Sequence, residues 1–208
     1  MLFYLLLSGD EIYDMEKVLI FLTAGFEEIE ALATINILRR GGVNIRSVSL
    51  TGDRTVTGGR QIPVIADCLF EEVDFAEACM LILPGGPGTG KMNGHEGLKR
   101  KILDFARQEK LLAAICAAPV VFGGLGLLQN KKATCYPGNE SYLTGAHVTG
   151  ASVVVDGNIT TGRAAGCTFE FALELLSQLK GKEAAEEVER KILLKNESED
   201  ATHVASVQ

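Results

Sequence analysis

Residues 17–50 read KVLIFLTAGFEEIEALATINILRRGGVNIRSVSL, and this stretch decides the fold. Val18 to Leu22 is a continuous apolar run of strand length, as expected of a strand buried on both faces. Thr23-Ala24-Gly25 turns the chain. Glu27 to Arg40 then reads as a helix, with Glu27, Glu28 and Glu30 in its first turns and Arg39-Arg40 at its end, a charge order that complements the helix dipole. Gly41-Gly42 supplies a left-handed cap, and Val43 to Leu50 is the next strand. The unit is β-α-β, so its two strands are expected to be parallel with a right-handed crossover.

The same alternation continues downstream. Thr55-Val56-Thr57 and Gln61 to Ala66 suggest a hairpin across Gly58-Gly59. The sheet resumes at Cys79 to Leu83. A loop and a helix over about Gly97 to Glu109 lead to a strand at Leu111 to Ile115, and a further helix opens over Ala117 to Leu125. Val153 to Thr161 is a hairpin with a tight Asp156-Gly157-Asn158 turn. Helices over Thr168–Leu179 and Lys182–Leu194 complete a single doubly wound α/β domain, a mostly parallel sheet with helices on both faces.

Composition bounds the partners. The chain has 208 residues, is 47% hydrophobic and carries a net charge of −7. It contains no basic block, which argues against nucleic acid and against an anionic membrane surface as partners. Five cysteines (Cys68, Cys79, Cys116, Cys135 and Cys167) form an odd set without metal-ligand spacing, so neither a disulfide framework nor a metal site is expected. The opening MLFYLLL lacks a basic flank and a cleavage site and is too short to span a bilayer. Periodic structure begins after Met15, so residues 1–14 are read as an extension ahead of the true start, residues 15–194 as the domain and residues 195–208 as a flexible tail. A cytoplasmic location follows from this reading, and the three Asn-x-Ser/Thr sequons are then chance matches.

Two segments carry candidate chemistry. Gly85-Gly86-Pro87-Gly88-Thr89-Gly90-Lys91-Met92 nearly spells a phosphate loop, but Met92 stands where a magnesium-binding hydroxyl is needed and Gly94 interrupts the helix that should follow. The pair Gly85-Gly86, at a strand's carboxyl end, is better suited to bring backbone N–H groups close to an oxyanion. The second segment is Leu111-Leu112-Ala113-Ala114-Ile115-Cys116-Ala117-Ala118-Pro119. An apolar strand runs straight into a helix with cysteine at the junction, the geometry of a nucleophile elbow. The helix dipole there is expected to lower the thiol pKa. The topology brings Cys116, Gly85-Gly86 and the start of the Glu27–Arg40 helix to one sheet edge.

At these residues the chain resembles the ThiJ/PfpI superfamily, in the branch that contains the Parkinsonism-associated deglycase and its bacterial relatives. The resemblance rests on Gly25-Phe26-Glu27-Glu28-Ile29-Glu30, Leu83-Pro84-Gly85-Gly86, Ala114-Ile115-Cys116-Ala117-Ala118-Pro119 and Thr168-Phe169-Glu170-Phe171-Ala172, and it covers about Lys17 to Leu194. It implies a flavodoxin-like sandwich that forms homodimers, a low-pKa Cys116 thiolate, a carboxylic acid at Glu30 that hydrogen-bonds it, and an anion pocket lined by the amides of Gly86 and Ala117. It also implies that Arg163 lies near the pocket and the dimer interface. Elementary electrostatics agrees on Glu30, because burial and a neighbouring thiolate both raise a carboxyl's pKa. Glu27 and Glu28 are read as first-turn acids.

The chain departs from the family pattern at two places. Protease-like members carry His directly after the nucleophile, where this chain has Ala117. Relatives often carry His near the thiol where this chain has Tyr136, which would donate a hydrogen bond or line the pocket. His147 is read as structural and His203 lies in the tail. His95 follows the glycine loop, and no histidine is placed as a base for the thiol. The expected function is therefore cofactor-free chemistry on a small reactive aldehyde or glycated substrate, of glyoxalase or deglycase type. The alternative is a redox sensor or chaperone acting through oxidation of Cys116. Amidase or protease activity ranks behind both, and thiazole monophosphate biosynthesis is an older name in the superfamily. Cys135 is a candidate second thiol, and Cys167 ranks below Cys116.

Overall fold

A computed structural model describes residues 17–194. The expected extension at 1–14 and the tail at 195–208 lie outside the described residues. The central sheet contains seven strands, β1 (Lys17–Leu22), β2 (Ile45–Ser49), β5 (Cys68–Leu69), β6 (Ala78–Leu83), β7 (Leu111–Ile115), β10 (Val153–Asp156) and β11 (Ile159–Gly162). Their spatial order is β10-β11-β7-β6-β1-β2-β5, and every pairing is parallel except β10 with β11. Two small ribbons, β3 (Thr55–Thr57) with β4 (Pro63–Ile65) and β8 (Lys132–Ala133) with β9 (His147–Val148), lie outside this sheet. The helices are α1 (Glu28–Arg40), α2 (Thr89–Asn93), α3 (Glu96–Arg107), α4 (Pro119–Gly124), α5 (Thr168–Lys180) and α6 (Lys182–Lys191).

The alternating side chains of the buried strands build two cores. Val18, Ile20 and Leu22 of β1 face α1 and α5, while Leu19 and Phe21 face α3 and α4. Met80 and Ile82 against Leu81 and Leu83 in β6, and Ala113 and Ile115 against Leu112 and Ala114 in β7, repeat the split. Burial on both faces explains why these strands read as unbroken apolar runs. Burying each large side chain contributes roughly 1.5–3 kcal/mol, so the two layers anchor the strand ends. The chain builds outward from β1 to β2, then crosses to β6 on the other side of β1. The order therefore reverses between β1 and β6, the place where open α/β sheets hold ligands beyond the strands' carboxyl ends.

The structure differs from the sequence reading in detail. The glycine loop contains the short helix α2, and β5, β8 and β9 are too short to leave a periodic signal. Glu27 caps α1 rather than joining it, His95 caps α3, and α4 starts at Pro119 and has six residues. After α1 the left-handed residue is Gly42, with φ of 73°, whereas Gly41 is not left-handed.

Asp67 ties β2 to the edge of the sheet. Its Oδ2 accepts the Ser47 N–H at 2.7 Å, the Ser47 hydroxyl at 2.8 Å and the Arg39 guanidinium at 2.7 Å. Partial burial pushes this carboxyl up, but the Ser47 donors and Arg39 outweigh it and hold it below the usual range. A depressed carboxylate contributes stability that is present above its unfolded pKa, near 3.9, and is lost as pH falls through the folded value. Asp67→Asn should therefore lower the unfolding free energy by about 1 kcal/mol at neutral pH. In urea titrations the gap to wild type should close in acid; a gap that persists in acid would contradict the ionic assignment.

Candidate active site

Strand β7 delivers its chain directly into Cys116, which has φ of 67°. Left-handed backbone costs a non-glycine residue roughly 1–2 kcal/mol and persists only where its surroundings enforce it. Here the Cys116 N–H donates to Gly162 O of β11 at 2.9 Å, and Cys116 O accepts the Tyr136 N–H at 2.7 Å. The elbow is thus clamped from both sides. Cys116 as a whole is 8% exposed, packed against its surroundings rather than free in solvent.

Glu30 reaches the same point from the first turn of α1. Glu27 holds that turn by accepting the Glu30 N–H at 2.8 Å. The Glu30 carboxyl is fully buried, and its Oε2 accepts the Gly85 N–H at 2.8 Å. Oε1 has no hydrogen-bond partner, and the carboxyl lies beside the Cys116 thiol. The contact requires glycine at 85. A Cβ there would stand 2.8 Å from Cys116 Cβ, 2.9 Å from Ala117 N and 3.0 Å from Glu30 Oε2. Gly86 has φ of 102°, and a Cβ on it would lie 2.5 Å from Glu27 N. The glycine loop spends its backbone polar groups on the protein itself, with Glu27 N–H donating to Gly85 O at 2.9 Å and Gly88 N–H to Gly25 O at 2.8 Å.

The electrostatics couple acid and thiol. Burial, above all, pushes the Glu30 carboxyl up to about 7, against the lowering influence of Cys116 and the Gly85 amide. Burial and then the Glu30 charge push the Cys116 thiol up, while the amides of Ala117 and Gly86, which donate toward its sulfur, pull it down. The expected dipole-lowered thiol is therefore corrected: α4 is short, and desolvation beside a carboxylate outweighs its end. Two like charges cannot both form in this contact. Ionising either group therefore holds a proton on the other, and the ionisations belong to the pair rather than to either residue.

The remaining sequence candidates take no part in the contact between Glu30 and Cys116. Tyr136 lies beside the elbow through its backbone, and its side chain is 50% exposed. Arg163 directly follows β11 and is exposed, its N–H donating to Ser152 O at 2.9 Å. His95 is a helix cap, its Nδ1 accepting the Leu98 N–H at 3.0 Å and its ring edge-on to Phe70. His147 is exposed in β9. Cys135 is buried, and burial pushes its thiol up to about 11. Cys167 is half-buried ahead of α5. Lys91 of the near-phosphate loop is exposed.

One residue with a structural part in the site was missed. Glu28 is 5% exposed, and its Oε1 accepts the Arg60 N–H at 2.6 Å, which pins the β3–β4 turn onto the start of α1. In sequence it was one of three similar acids, and only the hairpin packed on it sets it apart. Among the described residues no group of three or more His, Cys, Asp or Glu could hold a metal, and no helix is long and apolar enough to cross a membrane.

A strained cysteine at a strand–helix junction, beside the switch point of a flavodoxin-like sandwich, defines the nucleophile-elbow class of α/β proteins. The chain belongs to the DJ-1/PfpI family, whose sequence profile matches residues 16–178. It is 37% identical over 183 residues to protein DJ-1 homolog B of Arabidopsis thaliana, covering 86% of this chain but 42% of that protein, so it spans less than half of that relative's length. A deglycase of Pyrococcus abyssi is 30% identical over 170 residues, with 79% of this chain and 99% of that protein covered. The crystal structure of Drosophila melanogaster DJ-1beta superposes with a TM-score of 0.82 at 31% identity, covering 87% of this chain and 99% of that one.

Proposed function

We propose that the protein is a cofactor-free, cysteine-dependent enzyme acting on reactive 2-oxoaldehydes or the adducts they form, of glyoxalase or deglycase type. The observation that carries this reading is the contact between the buried Glu30 carboxyl and the Cys116 thiol, with the Gly86 and Ala117 amides beside the sulfur. The name of the Pyrococcus abyssi relative agrees with it. The ionised sulfur adds to the aldehyde carbon, forming a C–S bond, and the carbonyl electrons pass to oxygen, which takes the proton of Glu30. The Glu30 carboxylate then removes the carbon-bound hydrogen as a proton, leaving an enediolate. Glu30 returns that proton to the neighbouring carbon while the hydroxyl proton moves to the second oxygen, giving a thioester of a 2-hydroxy acid. Water cleaves the thioester and restores the thiol. The sum is one aldehyde plus one water to one hydroxy acid, with no outside oxidant. Tyr136 and Arg163 border the substrate rather than react. A homodimer of residues 15–194 in the cytoplasm completes the proposal, and five free cysteines suit a reducing compartment.

The amides directed at sulfur favour a second reading, in which peroxide oxidises Cys116 to a sulfinate that those N–H groups hold, two peroxides being reduced to water. One experiment separates the two. Reduced wild type incubated with methylglyoxal should release lactate without added cofactor. No lactate, together with a single gain of two oxygens at Cys116 under mild peroxide, would exchange the first reading for the second.

A further inference from the structure

A groove of about 510 Å³ begins at Ala117, next to the thiol, and runs between α2, α4 and the turn at Glu140–Tyr142. Its volume is within the range of small-molecule sites, roughly 300–1,000 Å³, and far exceeds what a three-carbon aldehyde fills. One of the two residues whose amides face the sulfur borders it, and the other is tied to its wall. Ala117 lines it, and Thr89, also in its wall, donates its hydroxyl to Gly86 O at 2.8 Å.

Its polar side chains, those of Thr89, Asn93, Asn139, Ser141, Tyr142 and Thr144, are all uncharged, and the rest of the wall is apolar. Among the described residues the side chains of Asn93, Asn139, Ser141 and Thr144 make no hydrogen bond within the protein. The wall is firmly built: a Cβ on Gly123 of α4 would stand 2.1 Å from Tyr142 O, so helix and turn meet backbone to backbone.

We propose that this groove is a subsite for an uncharged polyhydroxylated chain attached to the carbonyl that Cys116 attacks, so that six-carbon, sugar-derived 2-oxoaldehydes are preferred to methylglyoxal. The inference rests on the carbonyl reading of the site. Carboxamides and hydroxyls each donate and accept, as every sugar hydroxyl does. A phosphate or carboxylate would find no cation here, and an apolar chain would strip water from the amide groups without replacing its hydrogen bonds. Tyr142, 62% exposed, offers a ring to the C–H face of such a chain.

The test compares kcat/KM for 3-deoxyglucosone and methylglyoxal in wild type, Asn93→Ala and Asn139→Ala, and follows backbone amide shifts when 3-deoxyglucosone or N-acetyl-trialanine amide is added to Cys116→Ser. The expected wild-type ratio favours the six-carbon substrate at least about fivefold, each alanine lowers that ratio about five- to tenfold, and the sugar-derived probe shifts amides along the groove. A ratio near one, or a ratio that the variants leave unchanged, overturns the subsite, as do groove shifts with the peptide alone. Methylglyoxal turnover without groove shifts fails the subsite and leaves the carbonyl reading intact. Groove shifts in a protein that turns over neither aldehyde fail the carbonyl reading and keep the subsite; neither turnover nor shifts fails both.

Discussion

Replacing Cys116 by serine should abolish lactate formation from methylglyoxal, with a fall of at least about a thousandfold in kcat/KM. Attack on the aldehyde needs an ionised sulfur, and a serine hydroxyl in its place ionises far above any thiol, with Glu30 too weak a base to strip it. The fold should survive. Serine is nearly the same size, the clamp on the elbow is made of backbone bonds to Gly162 and Tyr136, and the amides of Gly86 and Ala117 can donate to the hydroxyl. An unfolding midpoint close to wild type with turnover gone would assign the chemistry to sulfur. Turnover within tenfold of wild type would remove Cys116 from the mechanism.

Gly86→Ala should be the most damaging single methyl in the site. The backbone there has φ of 102°, and the new Cβ would lie 2.5 Å from Glu27 N, 2.6 Å from Gly25 O and 2.8 Å from Phe26 C. All three are backbone atoms, so nothing flexible can turn aside. Relief must move either the β6 end, with its amide aimed at Cys116, or the loop that carries Glu27 and Glu30. Strain and displacement together should cost about 3–5 kcal/mol in chemical denaturation and slow thiol alkylation. Gly166→Ala is the matched control, because its φ is not positive and a Cβ there meets nothing within 4 Å. It should change stability by less than about 0.5 kcal/mol. Equal effects at the two positions would mean that the close approach at Gly86 is not what holds the site.

The sheet was legible because burial on both faces writes itself into the chain as apolar runs. Residues 18–22, 79–83 and 111–115 all fall in central strands. Cys116 stood out by its place at a strand–helix junction, and Gly85-Gly86 by standing at a strand end where side chains do not fit. What escaped the sequence has no local signature. Strands β5, β8 and β9 have two residues each and form through long-range pairing. The direction of the thiol's shift was misread because a dipole argument sees the helix and not the desolvation, and burial beside Glu30 is a tertiary property. The buried anchor Glu28 was hidden among its acidic neighbours for the same reason, and the groove beyond Ala117 is assembled from three separate segments.

The central claim is that Glu30 and Cys116 act as one titrating unit, and the pH dependence of Cys116 alkylation tests it most directly. The rate constant for iodoacetamide should be followed by mass spectrometry at Cys116 in wild type and in Glu30→Gln. Wild type should show an inflection near 7, where the pair gives up its first proton. In Glu30→Gln the O–H that stabilises the ionised sulfur is gone and burial remains, so the inflection should move to clearly higher pH. Superimposable profiles in the two proteins, both rising as an ordinary thiol does near 8.5, would contradict the shared proton and with it the role assigned to Glu30.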